Sequence, residues 1–372
     1  MKVLYIGCYR DGTGWGKAAE NYILAMDAAG IDVVPRPVKL NQTEISIPAR
    51  IAELEQKEAA GATICIQHTL PHLMEYSDKF DKNIALYATE TSNFIDSGWS
   101  RNINMLDEAW VINNQMVQSS KNSGVTVPIK VVPHACDFSK FEKGHKKLNA
   151  SVPEGNFVFY TIADFNKRKN IEAFIKAFHA EFDPSEPVSI LIKSSKYGLT
   201  PDQTAIKIKD MCNNVKVGLK KFININDYKE DLIITNFVSD EDICRIHNSC
   251  DCFVMPSYGE AWCIPAFDAM GFGKTPICTN IGGMSDFVKD AGFLVEGVME
   301  PVYEMLDTFQ DLFTGNENWC SVSIQGLREC MRHVYENQNS LKNMKKNGLR
   351  RAYEYSHEKI GNLIRDLLDV NN

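Results

Sequence analysis

The sequence predicts an α/β protein made of two doubly wound domains that face one another across a cleft. Short apolar segments alternate with segments of helical periodicity, an order typical of a parallel sheet with helices on both faces. The alternation stops at a polar stretch, residues 139–155, and then starts again. The 372 residues are enough for two such cores. We therefore predict domains at 1–150 and 151–345, with the polar stretch as a linker.

The first series of elements starts at the N-terminus. Lys2–Gly7 is a short apolar strand, and Trp15–Gly30 has a helical apolar pattern that a glycine closes. Further strands are predicted at 31–38, 63–67, 84–87, 108–112 and 129–132.

The second series follows the polar stretch. Its strands are predicted at 157–162, 189–193, 232–235, 252–255 and 275–279. Its helices are predicted at 171–178, at 240–248 and directly after the strand at 252–255.

Composition restricts the class of protein. Eleven cysteines, an odd number scattered through predicted strands and helices, indicate reduced thiols and not a disulfide framework. The net charge of -8 disfavours a surface that binds nucleic acid generally. No apolar run approaches the roughly 18 residues of a membrane helix, and the N-terminus reads as a strand and not as a signal peptide. We expect a cytoplasmic protein without an integral membrane segment.

The most informative motif spans residues 256–271. A turn after an apolar strand carries Glu260, Pro265 suits the first helical position, and Asp268 is expected in the first helical turn. Two acids near a helix N-terminus suit a ligand with hydroxyls on either side of a phosphate group, because the free backbone N–H groups can hold the anion. A nucleotide-sugar is such a ligand. Acids that open a helix are also ordinary capping partners.

A run of cations lies between the first strand of the second series and its helix. Lys167, Arg168 and Lys169 precede the helix at 171, where they would attract a diphosphate, and arginine suits forked contacts to oxyanions. A solvated basic turn is the alternative interpretation. We favour Arg168 and Lys169 as the ligand-binding pair, while the choice between Lys167 and Lys169 stays open.

Glycines follow the first strand of the chain. Gly12, Gly14 and Gly16 lie where a phosphate-binding turn belongs, but their spacing is not that of the dinucleotide fingerprint. The second strand runs into Pro35-Arg36-Pro37, where an NAD site would need an acid. A dehydrogenase is therefore a distant alternative. The glycines could also serve only to form a tight turn between the strand and the helix, without binding a ligand.

Two patterns imitate metal sites, and we expect no metal at either. Asp240-x-Asp242 looks like a metal motif, but Ser239 before acids in a first turn is a helix N-cap. Four further residues have spacing that matches no zinc pattern, namely Cys244, His247, Cys250 and Cys252.

Taken together, these motifs resemble the donor site of retaining GT-B glycosyltransferases of the glycosyltransferase family 4 kind, with Glu-x7-Glu written here as Glu260-x7-Asp268. The resemblance covers nearly the whole chain and is specific in the second domain. It implies two Rossmann-like domains and a C-terminal helix at 346–372 that crosses back to the first. It also implies sugar transfer from a nucleoside diphosphate sugar, of UDP or GDP type, with retention and without a metal or other cofactor.

The resemblance also assigns residues. Arg168 and Lys169 would neutralise the leaving diphosphate, and Glu260 would complete the catalytic set. The donor-binding positions are Gly14, Gly16, Phe237, Val238, Glu260, Ala261, Trp262, Cys263, Ile264, Asp268 and Gly283. The acceptor-side candidates are Trp15, His68, Glu90 and Thr91.

Two departures from the family pattern are visible. The family usually has glycine where Cys263 stands, which implies a narrower sugar pocket. The histidine expected after the strand at 84–87 is replaced by Glu90-Thr91-Ser92.

The acceptor is open among a glycan, a lipid, a protein and a modified nucleobase. The rival functions are a non-catalytic nucleotide-sugar-binding protein of the same fold, a GT-B epimerase and an NAD-dependent oxidoreductase.

Overall fold

The computed structural model describes residues 1–40, 45–148, 152–306, 308–309 and 311–369. They form two compact units: unit 1 comprises Met1–Ser139, Phe309–Glu317 and Ala352–Asn372, and unit 2 comprises Lys140–Thr308 and Asn318–Arg351. Within the described residues each unit holds a six-stranded parallel sheet, which confirms the predicted α/β class. The predicted boundary between 150 and 151 lies outside the described residues, and the predicted limit at 345 stays a prediction.

The sheet of unit 1 has the strand order β2-β1-β3-β4-β5-β6. Its strands are β1 (Lys2–Gly7), β2 (Asp32–Pro37), β3 (Ile64–His68), β4 (Lys82–Tyr87), β5 (Glu108–Val111) and β6 (Ile129–Val131). The helices that precede residue 139 are α1 (Gly14–Ala28), α2 (Ala49–Glu55), α3 (Trp99–Ile103) and α4 (Asn114–Asn122). Thr13 is the N-cap of α1: its hydroxyl accepts a hydrogen bond from the backbone N–H of Gly16 at 3.2 Å.

The sheet of unit 2 has the order β12-β11-β10-β7-β8-β9. Its strands are β7 (Phe157–Asp164), β8 (Val188–Ser195), β9 (Asp231–Ile234), β10 (Cys252–Met255), β11 (Thr275–Thr279) and β12 (Phe293–Val295). An antiparallel hairpin adds β13 (Gly297–Pro301) and β14 (Asn318–Val322). The helices are α5 (Ser139–Glu142), α6 (Ile171–Glu181), α7 (Pro201–Leu219), α8 (Asp240–Ser249), α9 (Ile264–Gly271), α10 (Gly282–Phe287), α11 (Ile324–Glu336) and α12 (Lys342–Glu354).

The two faces of the second sheet have different partners. Ile190 and Ile192 of β8 lie in one apolar core with Phe174 of α6. On the other face, the hydroxyl of Tyr160 in β7 is bonded to Nδ1 of His247 in α8 at 2.7 Å. Helices therefore cover both faces, which is the doubly wound arrangement.

The segment predicted as one helix at 346–372 is two helices, α12 and α13 (His357–Asp369). The break lies where Ser356 forms a β-bridge with Cys136, and the backbone N–H of Cys136 donates to the carbonyl of Tyr355 at 2.9 Å. α13 packs on α1 within unit 1. A Cβ atom at Gly361 would collide with the Ala25 carbonyl, so glycine permits this close approach.

In the part of the chain that the structure describes, no helix combines the length and the apolar character needed to cross a membrane.

Candidate functional site

The cationic turn of unit 2 is fixed by its own backbone contacts. Residues 167–169 form a single 3₁₀ turn after β7, and the side chain of Asn166 accepts a hydrogen bond from the Lys169 N–H at 3.2 Å. Asn170 then adopts a left-handed conformation, with φ of 50°, and its amide donates to the Pro256 carbonyl at 3.0 Å. The turn is thereby fastened to the loop that follows β10.

This loop carries Glu260, whose carboxylate contacts two of the cations. Lys169 Nζ lies 2.6 Å from Glu260 Oε1, and Arg168 Nη1 lies 3.3 Å from Glu260 Oε2. Arg168 Nη1 also donates to the Gly259 carbonyl at 2.7 Å. β7 and β10 are neighbours in a parallel sheet, so their C-terminal loops meet at one edge, where ligands of doubly wound sheets bind.

The third cation of the turn, Lys167, pairs with a different acid. Its ammonium pairs with the exposed carboxylate of Glu304 at 2.9 Å. Of the two lysines between which the sequence left the choice open, Lys169 is therefore the one that contacts Glu260.

The Glu260 carboxylate is buried, with 5% of the residue exposed. Burial alone would raise its pKa, but the charges of Lys169 and Arg168 outweigh burial and hold the pKa below its ordinary value. Glu260 is therefore ionised at neutral pH and compensates two half-buried cations. An anion that bound there would compete with Glu260 for those cations.

Cys263 ends the acid loop in a left-handed conformation. Its φ of 73° and ψ of 72° place it in the region that favours glycine, directly before α9. The thiol is buried, and burial raises its pKa to about 12. The glycine that the family usually has at this position is explained by this backbone geometry.

Gly282 and Gly283 pack against the same loop. A Cβ atom at Gly282 would collide with the Glu260 carbonyl, and one at Gly283 with the Ala261 carbonyl. Glycine at these two positions therefore lets α10 approach the acid loop closely. Ala261 and Trp262 of the loop are themselves buried.

Asp268 does not lie in the first turn of its helix, contrary to the prediction. α9 begins at Ile264, before Pro265, so Asp268 falls beyond the first turn. The carboxylate instead pairs with Lys140 of α5, with Lys140 Nζ at 2.7 Å from Oδ1. Sequence reasoning missed Lys140, which it had counted as part of a linker.

The segment between β9 and α8 holds two further donor-site candidates. Phe237 is 80% exposed, and Val238 is half-buried. Ser239 is the N-cap of α8, as predicted: its hydroxyl accepts from the Asp242 N–H at 3.1 Å and donates to the Asp242 carboxylate at 2.8 Å. This capping box gives Asp242 a structural role.

The four residues whose spacing imitates a zinc site, Cys244, His247, Cys250 and Cys252, lie in the packed interior. All three cysteines among them are buried, and His247 bonds to Tyr160 as described above. Over the described ranges, no three His, Cys, Asp or Glu side chains are grouped so that they could hold a metal ion.

Two acceptor-side candidates come together in unit 1. The indole of Trp15 lies 5.2 Å from the imidazole of His68, centroid to centroid. His68 is buried, and its Nδ1 is bonded to the hydroxyl of Tyr5 at 2.6 Å. Burial, with a smaller contribution from His134, lowers the pKa of His68 to about 3, so the ring is neutral at neutral pH.

The other unit 1 candidates have mixed surroundings. Gly16 must be glycine because a Cβ atom there would collide with the Asp11 carbonyl, whereas Gly14 has open space. The Thr91 hydroxyl donates to the Asn93 carbonyl at 2.7 Å, within its own turn, and Glu90 precedes it half-buried.

Comparisons with known proteins identify the family and the fold. The family model of the glycosyl transferases group 1 matches residues 143–351. A serotype-specific mannosyltransferase, WbdA of Escherichia coli, is 29% identical over 138 residues, which are 36% of this chain and 15% of WbdA. The matched residues therefore correspond to less than a fifth of the length of WbdA.

Solved structures resemble the whole chain. Sucrose-phosphate synthase from Thermosynechococcus elongatus has a TM-score of 0.68 at 12% identity, with 99% of this chain and 98% of that one covered. Anabaena HepE in complex with UDP-glucose has a TM-score of 0.66 at 12% identity, with both chains covered completely. The fold is therefore GT-B. Because its family model matches more than half of the residues, this chain belongs to the glycosyl transferases group 1.

Proposed function

We propose that this chain is a retaining glycosyltransferase of family 4 that transfers a sugar from a nucleoside diphosphate sugar without a bound metal. The observation that carries the proposal is the buried contact of Lys169 and Arg168 with Glu260 at the C-terminal edge of the second sheet. The mannosyltransferase relative and the UDP-glucose complex of HepE support a nucleotide-sugar donor.

The two cations fit the departure of a diphosphate. When the bond between the anomeric carbon and the phosphate oxygen breaks, its electron pair and negative charge go to that oxygen. Lys169 and Arg168 would stabilise the charge in a site with little exposed surface, and such stabilisation is often the largest catalytic contribution. The acceptor oxygen would attack from the same face and give its proton to the leaving phosphate, which retains the configuration.

The two acids would orient the donor. Glu260 lies beside the cations and would accept a hydrogen bond from a sugar hydroxyl once the diphosphate has taken over part of the cationic charge. Asp268 would accept one from a ribose hydroxyl, in exchange for or alongside Lys140. The base would lie at the Phe237–Val238 segment.

Release of nucleoside diphosphate from a panel of UDP- and GDP-sugars tests the proposal. Lys169→Met should lower the rate on the best donor by about 100-fold or more, because it removes a donor aimed at the leaving group. Lys167→Met is the matched control, because Lys167 lies on the same turn as Lys169 but pairs with the exposed Glu304. Activity should survive chelation by EDTA. Equal rates for the two variants, or loss on chelation with rescue by one metal, would contradict the proposal.

A further inference from the structure

A lysine is buried inside the parallel sheet of unit 2. Lys193 lies in β8 and is 5% exposed, and among the residues that the structure describes its ammonium has no hydrogen-bond or ion-pair partner. The ammonium itself is not fully enclosed and keeps a small accessible area. A lysine so largely withdrawn from water without a partner is unfavourable, so residues of this type are seldom buried without a reason. The position therefore calls for a ligand or for another function.

The strand register places Lys193 close to the predicted donor site. It pairs with Ile162 of β7 on one side and with Ile234 of β9 on the other, near the C-terminal ends of all three strands. The loop after β7 carries Arg168 and Lys169, and the segment after β9 is Phe237–Val238. Lys193 thus lies between the cationic turn and the segment expected to hold the base.

Its side chain is on the face that carries α8. Side chains alternate along a strand, and Ile190 and Ile192 fill the opposite face with α6. Residues in register share a face, and Ile162 is two residues beyond Tyr160, which bonds to α8. α8 begins directly after the Phe237–Val238 segment.

Among the described residues, few charged groups lie near the Lys193 ammonium. Burial lowers the pKa of Lys193, and the charge of Asp164 at the end of β7 opposes this in part. The Asp164 carboxylate itself accepts a hydrogen bond from the Asn166 amide at 2.8 Å. The lysine thus keeps its capacity to donate to an incoming oxygen atom.

We propose that Lys193 donates a hydrogen bond to a carbonyl oxygen of the donor's base and thereby selects uracil or guanine over adenine. This inference rests on the proposed function and names the specificity of the same site. Uracil and guanine present a carbonyl oxygen at the position where adenine has an amino group, and an ammonium can donate to the oxygen but not to the amino group. A site built around a buried donor discriminates strongly against a ligand that leaves the donor unpaired.

The base is a better partner than the diphosphate on topological grounds. The cationic turn and Glu260 follow β7 and β10, whereas β8 lies on the far side of β7, next to β9. A nucleotide that reaches from the cations to Phe237 would therefore place its nucleoside end over β8. The exposed ring of Phe237 offers a surface on which a base can stack.

Calorimetric titration of the whole chain with UDP, GDP, ADP and inorganic pyrophosphate tests the proposal. The unchanged chain should bind UDP or GDP at least about tenfold more tightly than ADP, and Lys193→Met should remove most of that difference. Pyrophosphate and ADP should bind Lys193→Met as they bind the unchanged chain. Lys176→Met is the control, because Lys176 pairs with Glu172 on an exposed helix face and should change none of the four affinities.

The thermal midpoint without ligand separates a binding role from a structural one. Removal of an unpaired buried charge should leave the midpoint of Lys193→Met unchanged or higher while the affinity for UDP or GDP falls. A lower midpoint with unchanged selectivity, or an equal loss of pyrophosphate affinity, would overturn the proposal. If the unchanged chain bound ADP as tightly as UDP and GDP, base selection would be wrong but the donor site would stand. Failure to bind any nucleotide would contradict the proposed function as well.

Discussion

Lys169 and Glu260 are 91 residues apart in the chain, yet Lys169 Nζ lies 2.6 Å from Glu260 Oε1. The cation proposed to stabilise the diphosphate is therefore held by the acid proposed to bind the sugar. Both side chains are mostly buried, so the contact is charge-assisted and poorly screened by solvent. A change at Glu260 therefore alters the surroundings of the cation as well as the proposed contact to the sugar.

Glu260→Gln should separate the two parts. The amide cannot offer the sugar an anionic acceptor, so the affinity for an intact nucleotide-sugar should fall by about tenfold or more. The same change frees Lys169 and Arg168 from their carboxylate, so the affinity for the free nucleoside diphosphate should stay constant or rise. Calorimetry with both ligands measures this pair of effects, and an equal loss for both would refute the assignment of Glu260.

Asp268→Asn should weaken both ligands alike, because the free nucleotide and the nucleotide-sugar both contain the ribose. A loss of about tenfold or more is expected for a charge-assisted hydrogen bond. Lys140→Met is the matched control, since it removes the ion pair and keeps the carboxylate. If both variants lost affinity equally, the ion pair and not a ribose contact would be the important feature.

The sequence predicted central strands more accurately than it predicted pairings between distant residues. Cys252–Met255 and Thr275–Thr279 were predicted to the residue because strands buried on both faces read as continuous apolar runs. The hairpin of Gly297–Pro301 with Asn318–Val322 was missed, because Val298 and Met299 are exposed and the partner strand is remote.

In the candidate site, too, the sequence predicted the residue types but not the contacts between distant residues. The residue types of Arg168, Lys169 and Glu260 indicated one anionic ligand, but nothing in the local pattern shows that these side chains contact one another. Lys140 and Asp268 are 128 residues apart, and neither residue's neighbours signal the ion pair. Such contacts depend on how the loops meet at the edge of the sheet, which no local periodicity records.

A buried network at the other end of β9 should set the acid stability of unit 2. Asp231 Oδ2 lies 2.6 Å from Lys216 Nζ, and Asp231 Oδ1 lies 2.7 Å from His179 Nε2. Burial would raise the pKa of Asp231, but bonds to His179 and Lys216 hold it below its ordinary value of 3.8. A carboxyl with a lowered pKa stabilises the fold fully above pH 3.8, and this stabilisation is lost as the pH falls through the lower folded value.

Asp231→Asn should therefore lower the stability of unit 2 at pH 7 by about 3–5 kcal/mol, because it leaves Lys216 buried without its anion. Glu304→Gln is the control, since its pair with Lys167 is exposed and should contribute little. Thermal unfolding at pH 7 compares the two variants. Equal midpoints would show that the buried network does not stabilise unit 2.

Cys263 offers a test of backbone strain at the acid loop. A left-handed conformation costs a non-glycine residue roughly 1–2 kcal/mol, so Cys263→Gly should relieve that strain while it loses the packing of a buried thiol. These effects oppose one another, and the greater freedom of glycine in the unfolded chain adds to the loss. We expect a stability within about 1 kcal/mol of the unchanged chain for Cys263→Gly, and a clear loss for Cys263→Val, whose branched side chain fits this conformation poorly.

If the thiol also narrows the sugar pocket, Cys263→Gly should raise the affinity for UDP-N-acetylglucosamine relative to UDP-glucose. Thermal unfolding and calorimetry on the two variants measure both effects. A Cys263→Val variant as stable as Cys263→Gly would contradict the strain, and an unchanged ratio of the two affinities would show that the thiol does not limit the sugar.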